Sequence, residues 1–324
     1  MKEEILNKKE NKKKKTVCFS IPCFNEEKNI EPITEGILSL FKEKSLKKYK
    51  VIIQFIDNNS TDNTRNEIRN MCKKHKDVRA IFNAKNFPMS SGYYGILQTT
   101  GDCTIAIPCD FQVPLSVIPE LIKKWESGKS IVILRKISTK SEKGMFFVRK
   151  LFYKLSDIFT ETKVISGFNG CGLYEKKFID VCRDTNDNVA SFIQMVNVLG
   201  YNMDEILYEE QKRRSGKSKN NLSALISIAI DRFISMSNFG PRLATVFGFF
   251  MSLISFIIGM VYFVLKLMFW KNFPAGTAPI LFGVYFLGSV QIFMIGLVGE
   301  YIIKVNQRVM KRPLVIEEER INFF

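Results

Sequence analysis

The chain has 324 residues and a formal charge of +16, from 48 Lys and Arg against 32 Asp and Glu. It holds one histidine, His75, set among lysines, and seven cysteines with no CxxC or other metal-ligand spacing. A zinc site and a histidine-based triad are therefore excluded, and with them most hydrolase mechanisms.

Residues 1–15 form a basic tail with seven lysines and no apolar run, so it is not a signal peptide. Beyond it, short apolar runs alternate with helical periodicity. Strands are predicted at Val17–Pro22, Val51–Ile56, Val78–Phe82, Thr104–Ile107 and Ile131–Leu134. Helices are predicted at Ile30–Phe41, Thr64–Lys74, Gly92–Leu97 and Leu115–Glu126. Near-continuous apolar strands in such alternation argue an α/β domain with a mostly parallel sheet covered on both faces.

Between Ser138 and Lys163 a basic, aromatic stretch reads as an amphipathic helix, with Phe146, Phe147, Arg149 and Lys150 among its residues. Leu222, Leu225, Ile226, Ala229, Ile230 and Phe233 follow helical spacing opposite Ser223, Ser227 and Asp231. A helix of that kind lies in a membrane interface or packs on the soluble domain. Two uncharged stretches follow, Leu243–Leu265 and Ala278–Gly299, each longer than the roughly 20 residues needed to cross a bilayer. Arg232, Arg242, Lys304, Arg308, Lys311 and Arg312 flank the pair on its outer sides. By the positive-inside rule the main domain and both termini are expected in the cytoplasm. An anionic leaflet then explains the basic surface better than nucleic acid, for which there is no motif. The expected domains are 16–220, a juxtamembrane helix at 221–241, two transmembrane helices within 242–304 and a cytoplasmic tail at 305–324.

Polar clusters fall at the ends of predicted strands, where open α/β sheets bind ligands. Pro22, Asn25 and Glu26 follow the first strand and either meet a base or ribose or cap the next helix. Asp57-Asn58-Asn59-Ser60-Thr61-Asp62 ends the second strand, as a base or ribose contact or as a polar turn with Asp62 capping a helix. After the fourth strand, Asp110 and Gln112 stand two apart in a segment expected to be extended, so they face one way and can share a hard divalent cation. Arg213-Arg214-Ser215-Gly216-Lys217-Ser218-Lys219 is a cationic loop fit to cover a diphosphate, or a plain juxtamembrane basic patch.

In order and spacing these clusters, with Lys85-Asn86-Phe87, Gly299-Glu300-Tyr301-Ile302 and Lys311-Arg312-Pro313, resemble family 2 glycosyltransferases of the polyprenyl-phosphate type. Bactoprenol glucosyltransferases and, more distantly, dolichol-phosphate mannose synthases belong to that type. The resemblance runs from about Thr16 to Pro313. It implies a GT-A (Rossmann-like) domain, an interfacial helix and a transmembrane hairpin in the cytoplasmic membrane. It implies inverting transfer of a monosaccharide from a nucleotide sugar, with UDP-hexose favoured, to polyprenyl phosphate. Under it, Pro22, Asn25, Glu26, Asp57, Asp62, Lys85 and Asn86 line the nucleotide pocket. Asp110 and Gln112 hold Mg²⁺ or Mn²⁺, Arg213 and Lys219 hold phosphates, and Arg135 and Arg149 grip the acceptor phosphate. Self-association and an exporting flippase are further expected partners.

The chain departs from the family pattern Asp-x-Asp-Leu-Gln-Asp-Pro, reading Pro108-Cys109-Asp110-Phe111-Gln112-Val113-Pro114. The usual Asp-Asp of the second strand becomes Asp57-Asn58, and Asp-Phe-Arg after Gly167 becomes Phe168-Asn169-Gly170. Lost acids motivate a rival reading, a catalytically degenerate member acting as a membrane scaffold or regulator. A processive polysaccharide synthase is disfavoured, because neither Trp125 nor Trp270 sits in a Gln-x-x-Arg-Trp signature.

Overall fold

The computed structural model describes residues 14–88, 90–137, 165, 167–185, 192–211, 277–309 and 313–323, with scattered helical positions between 247 and 268. It divides into two units. The first comprises residues 1–147, 164–219 and 312–324, and is built on one eight-stranded sheet. In chain order the strands are β1 (Thr16–Cys23), β2 (Lys50–Asp57), β3 (Val78–Asn83), β4 (Cys103–Ala106), β5 (Ile131–Lys136), β6 (Phe168–Glu175), β7 (Met203–Tyr208) and β8 (Glu317–Ile321). They lie side by side as β7-β5-β6-β4-β1-β2-β3-β8.

The pairs β1–β2, β1–β4, β2–β3 and β5–β7 are parallel, while β6 runs antiparallel between β4 and β5. All five predicted strands are present, each within two residues of its expected ends. The helices α1 (Ile30–Leu40), α2 (Thr64–Lys74) and α3 (Ser91–Leu97) match their periodicity. The expected helix at Leu115–Glu126 divides into a 3₁₀ turn at Leu115–Val117 and α4 (Ile118–Glu126), because a proline sits in the first turn of α4. Sequence periodicity did not announce β6, β7 and the helices α5 (Lys176–Thr185) and α6 (Phe192–Val198).

Two apolar clusters hold the sheet. The larger packs α1, α2 and α4 through Ile33, Ile37, Ile68, Leu121 and Trp125 onto Phe19, Phe55 and Ile105. The smaller gathers Tyr93, Tyr174, Phe178 and Phe192, whose rings meet at centroid distances between 4.7 and 5.9 Å. With the sheet covered on both sides, ligands are left its strand ends.

At the C-terminus the structure departs most from expectation. The segment expected as a tail supplies β8, which pairs antiparallel with β3 and closes that edge of the sheet. Val315 is buried, and Asn322 Nδ2 donates to the carbonyls of Cys72 (2.8 Å) and Val78 (2.7 Å).

The second unit comprises residues 148–163 and 220–311. Its helix α7 (Thr277–Val309) is 33 residues long and contains the second expected span. Ile280, Val284, Leu287, Ile292 and Ile295 are exposed along it. Among the described residues no helix is long and apolar enough to cross a membrane, so the structure does not show the expected pair of spans. Both amphipathic stretches, at 138–163 and 222–233, lie outside the described residues.

Candidate functional site

Because β4, β1 and β2 are adjacent and parallel, the loops leaving their carboxyl ends emerge together. Each loop turns at a non-glycine residue in left-handed conformation: Asn25 (φ 58°), Asn59 (φ 64°) and Phe111 (φ 61°). Asparagine takes this conformation readily, whereas for phenylalanine it is a strained one, of a kind that gathers at functional sites.

The first two loops are knitted together. The backbone N–H of Asn25 donates to Ser60 Oγ (2.9 Å), and its side-chain Oδ1 accepts from the N–H of Thr61 (2.8 Å). The Glu26 N–H donates to Thr64 Oγ1 (2.8 Å), and Asn29 Nδ2 donates to the Glu26 carboxylate (2.6 Å). Asp62 Oδ1 accepts the N–H of Thr64 at 3.0 Å, satisfying one free donor of the first turn of α2, although the N-cap position itself is Asn63. Asn25, Glu26, Asp62 and Pro22 are partly exposed.

Asp57 is placed differently from the expectation. Its carboxylate is fully buried, salt-bridged to Arg65 Nε at 2.7 Å and capped by the N–H of Ser60 at 3.2 Å. It holds the 58–62 loop from beneath instead of facing solvent. Next to it, Asn58 Nδ2 donates to Asn86 Oδ1 (2.7 Å), while Asn58 Oδ1 accepts from Asn83 Nδ2 (3.0 Å) and the Phe87 N–H (2.7 Å). Lys85 and Asn86 are exposed, so this bridge carries them beside the second loop.

Asp110 and Gln112 are joined in a turn and are not the extended pair expected. With Phe111 left-handed, the Gln112 N–H folds back to Asp110 Oδ1 at 3.2 Å, a turn closed by an Asp side chain. Gln112 Nε2 donates to Glu210 Oε1 (2.9 Å), and the Gln211 N–H donates to the Gln112 carbonyl (3.1 Å). Glu210 also pairs with Lys136. Val113, where the family pattern has an acid, is packed into the larger apolar cluster. Arg135, on β5, donates to Glu205 Oε1 at 2.9 Å. Arg149, Arg213 and Lys219 lie outside the described residues.

Thiols form part of the floor. Burial pushes Cys23 well above its ordinary range, and the neighbouring Cys109, Asp57, Glu26 and Asp62 add to the effect. Burial also raises Cys109, reinforced by Glu26 and Asp110, and lifts Cys171 to about 12, with Asp110 adding to it. These influences put Glu26, Asp57, Asp62 and Asp110 in one electrostatic neighbourhood. The buried thiols are inert there.

Among the described residues no cluster of three or more His, Cys, Asp or Glu side chains could hold a metal ion. What the site offers is the carboxylate of Asp110, only 6% exposed, in a turn with Gln112, whose side-chain amide carries a further oxygen. That hard-oxygen set suits Mg²⁺ or Mn²⁺ in the mode where one or two protein oxygens share the ion with substrate phosphates and water. Sequence reasoning missed Arg65 and Glu210. Both act through contacts distant in sequence, and no local spacing signals them.

Residues 18–182 match the glycosyl transferase family 2 model, and residues 246–305 match the GtrB C-terminal hairpin. The bactoprenol glucosyl transferase of Shigella phage SfX is 30% identical over 94% of this chain and 99% of its own. A prophage bactoprenol glucosyl transferase homolog of Escherichia coli K12 is 29% identical over 93% of this chain and 97% of its own. Among solved structures, mannosyl-3-phosphoglycerate synthase from Rubrobacter xylanophilus superposes with a TM-score of 0.45 at 17% identity, over 68% of this chain and 73% of its own. With a family 2 match across more than half its length, and a GT-A-like sheet carrying the polar loops at its strand ends, the chain is a glycosyltransferase and belongs to family 2.

Proposed function

We propose that this enzyme transfers a monosaccharide, with inversion, from a nucleotide sugar to polyprenyl phosphate at the cytoplasmic face of the membrane. UDP-hexose is the favoured donor. The observation that carries the reading is that the β1, β2 and β4 loops leave one end of the sheet side by side, bearing Glu26, Asp62 and Asp110. Near-full-length similarity to bactoprenol glucosyl transferases supports the acceptor, and the matched hairpin at 246–305 with the apolar exposed side chains of α7 supports a membrane anchor. Both termini and the catalytic domain then lie in the cytoplasm.

The chemistry suits a site poor in acids. A sugar hydroxyl needs a general base, because its proton must leave during attack. A phosphate monoester has a second pKa of about 6 and arrives largely deprotonated, already a nucleophile. The protein must align two anionic reactants and stabilise the departing diphosphate. Asp110 and Gln112 would hold a divalent ion, whose charge would offset that of the diphosphate; Arg213 and Lys219 add cations, and Arg149 and Arg135 receive the acceptor phosphate. For Arg135 that means exchanging Glu205 for the acceptor.

The test uses the full chain in detergent with undecaprenyl phosphate, Mn²⁺ or Mg²⁺ and a panel of UDP- and GDP-sugars. Mass spectrometry should find one lipid-linked monosaccharide and the released nucleoside diphosphate. Absence of product across the panel, together with no calorimetric binding of UDP, GDP or Mn²⁺, would establish the second reading, a membrane scaffold. Burial of Val113 in the core favours that reading, since this position cannot aim a group into the site.

A further inference from the structure

We propose that the C-terminal strand β8 is a functional part of the nucleotide pocket, with Glu318 serving as a positioning residue through Arg65. The proposal rests on the nucleotide reading of the β1 and β2 loops given above.

An unbroken polar chain leads from β8 to both loops. Glu318 Oε2 accepts from Arg65 Nη1 at 2.9 Å. Arg65 Nε donates to Asp57 Oδ2 at 2.7 Å, and its Nη2 donates to the carbonyl of Asn83 at 2.7 Å. Asp57 in turn accepts the Ser60 N–H at 3.2 Å, and Ser60 Oγ accepts the Asn25 N–H at 2.9 Å. All three nitrogens of the guanidinium are thus committed, one to each of three partners on different strands. An Arg fork fixes direction as well as charge, so the third partner decides how the other two contacts are aimed.

Exposure separates positioning from scaffolding along this chain. Asp57 is fully buried and the Arg65 side chain is 19% exposed, but the Glu318 side chain is 52% exposed. Removing the Glu318 charge therefore opens no cavity and strands no buried ion. It frees one arm of Arg65, and the loss is felt where Asp57 sets the 58–62 loop. Its neighbour Glu319 provides a matched control. It pairs with Arg69 Nη2 at 2.6 Å, and Arg69 stacks on Phe82 with no hydrogen bond to Asp57 among the described residues. Two adjacent ion pairs across the same strand thus differ in whether they lead to the pocket.

Coupling of this kind is reciprocal: if β8 improves nucleotide binding, bound nucleotide must stabilise β8 by the same factor. The full chain in detergent is titrated calorimetrically with UDP and with GDP in the presence of Mn²⁺. Glu318→Lys should weaken the nucleotide that wild type binds by about five- to tenfold, and Glu319→Lys should stay within about twofold, with unfolding midpoints of the two variants alike. By hydrogen exchange, the nucleotide should slow the amides of β8 in wild type and in Glu319→Lys, and not in Glu318→Lys. Equal affinity in Glu318→Lys and wild type, equal loss in both variants, or no nucleotide effect on β8 exchange overturns the inference while leaving the pocket reading intact. Failure of wild type to bind either nucleotide overturns the pocket reading and this inference with it.

Discussion

Arg65 and Glu210 are single side chains on which the site's two halves depend, and each makes a different prediction. Asp57 is a fully buried carboxylate whose only cationic partner among the described contacts is Arg65. Replacing Arg65 with Met removes that partner and leaves an uncompensated buried charge, a change that costs about 3–5 kcal/mol. Denaturant unfolding of the full chain should show that loss as a lower midpoint. Arg65→Met at wild-type stability would mean that Asp57 is held by something else. At Glu210 the effect is on affinity, not stability. Glu210 holds the Nε2 end of the Gln112 amide, which leaves Oε1 as the end able to meet a cation. Orienting partners of metal ligands are worth about 10- to 100-fold in affinity. Glu210→Ala should therefore weaken Mn²⁺ binding, read by electron paramagnetic resonance, by about that factor, and Glu210→Gln should recover part of it through its own carbonyl. Undiminished binding in Glu210→Ala would separate Gln112 from the metal.

Among the elements, legibility followed burial. Strands β1 to β4 carry apolar residues on both faces because helices cover the sheet on both sides, and such runs stand out from their surroundings. Strand β6 does not, since Asn169, Gly170 and Gly172 interrupt its apolar run. At Gly172 the backbone has φ +155° and an added Cβ would lie 2.4 Å from the carbonyl of Val132, so glycine is there to let β5 approach. A residue needed for close pairing thus looked like a loop signal. Strand β7 was hidden for another reason: on this edge strand Met203, Glu205 and Leu207 are exposed and only Ile206 and Tyr208 are buried, so no continuous apolar run marks it. The packing of α3 makes the element-scale prediction. Gly95 lets this short helix lie on β1 and β2, where a Cβ would stand 2.4 Å from Ile56 Cδ1 and 2.8 Å from Ser20 Oγ. Its carbonyl also receives Gln54 Nε2 at 2.7 Å, locking the helix to the sheet. Gly95→Ala should overpack this contact and cost about 1–3 kcal/mol, whereas Gly128→Ala, with nothing within 4 Å, tests only the strain of its positive φ. Equal losses at the two positions would show that the helix has room to shift.

For the whole molecule, β3 (Val78–Asn83) and β8 (Glu317–Ile321), from opposite parts of the chain, pair in one sheet, and the consequence was invisible in the sequence. Glu317–Ile321 is almost wholly charged, and after two long apolar stretches it reads as a solvated tail. Its charges instead meet a set of arginines that the first unit presents at the β3 edge. Arg65 and Arg69 take Glu318 and Glu319, and Arg320 turns back to Glu317 and Gln98. The strand-end acids were legible because local spacing marks them, and the pairing that fixes them was not, because it is made by complementarity across the whole chain. Deleting residues 312–324 tests that dependence. Strand β3 is buried at every position. Without β8 its outward N–H and C=O groups would form an open apolar edge, the kind of edge on which chains associate. Light scattering in detergent should show the truncated chain associating as its concentration rises, while Glu318→Lys, which keeps the β8 backbone pairing, stays monodisperse. A truncated chain that remains monodisperse with wild-type nucleotide affinity would show that the eighth strand is dispensable to both the fold and the site.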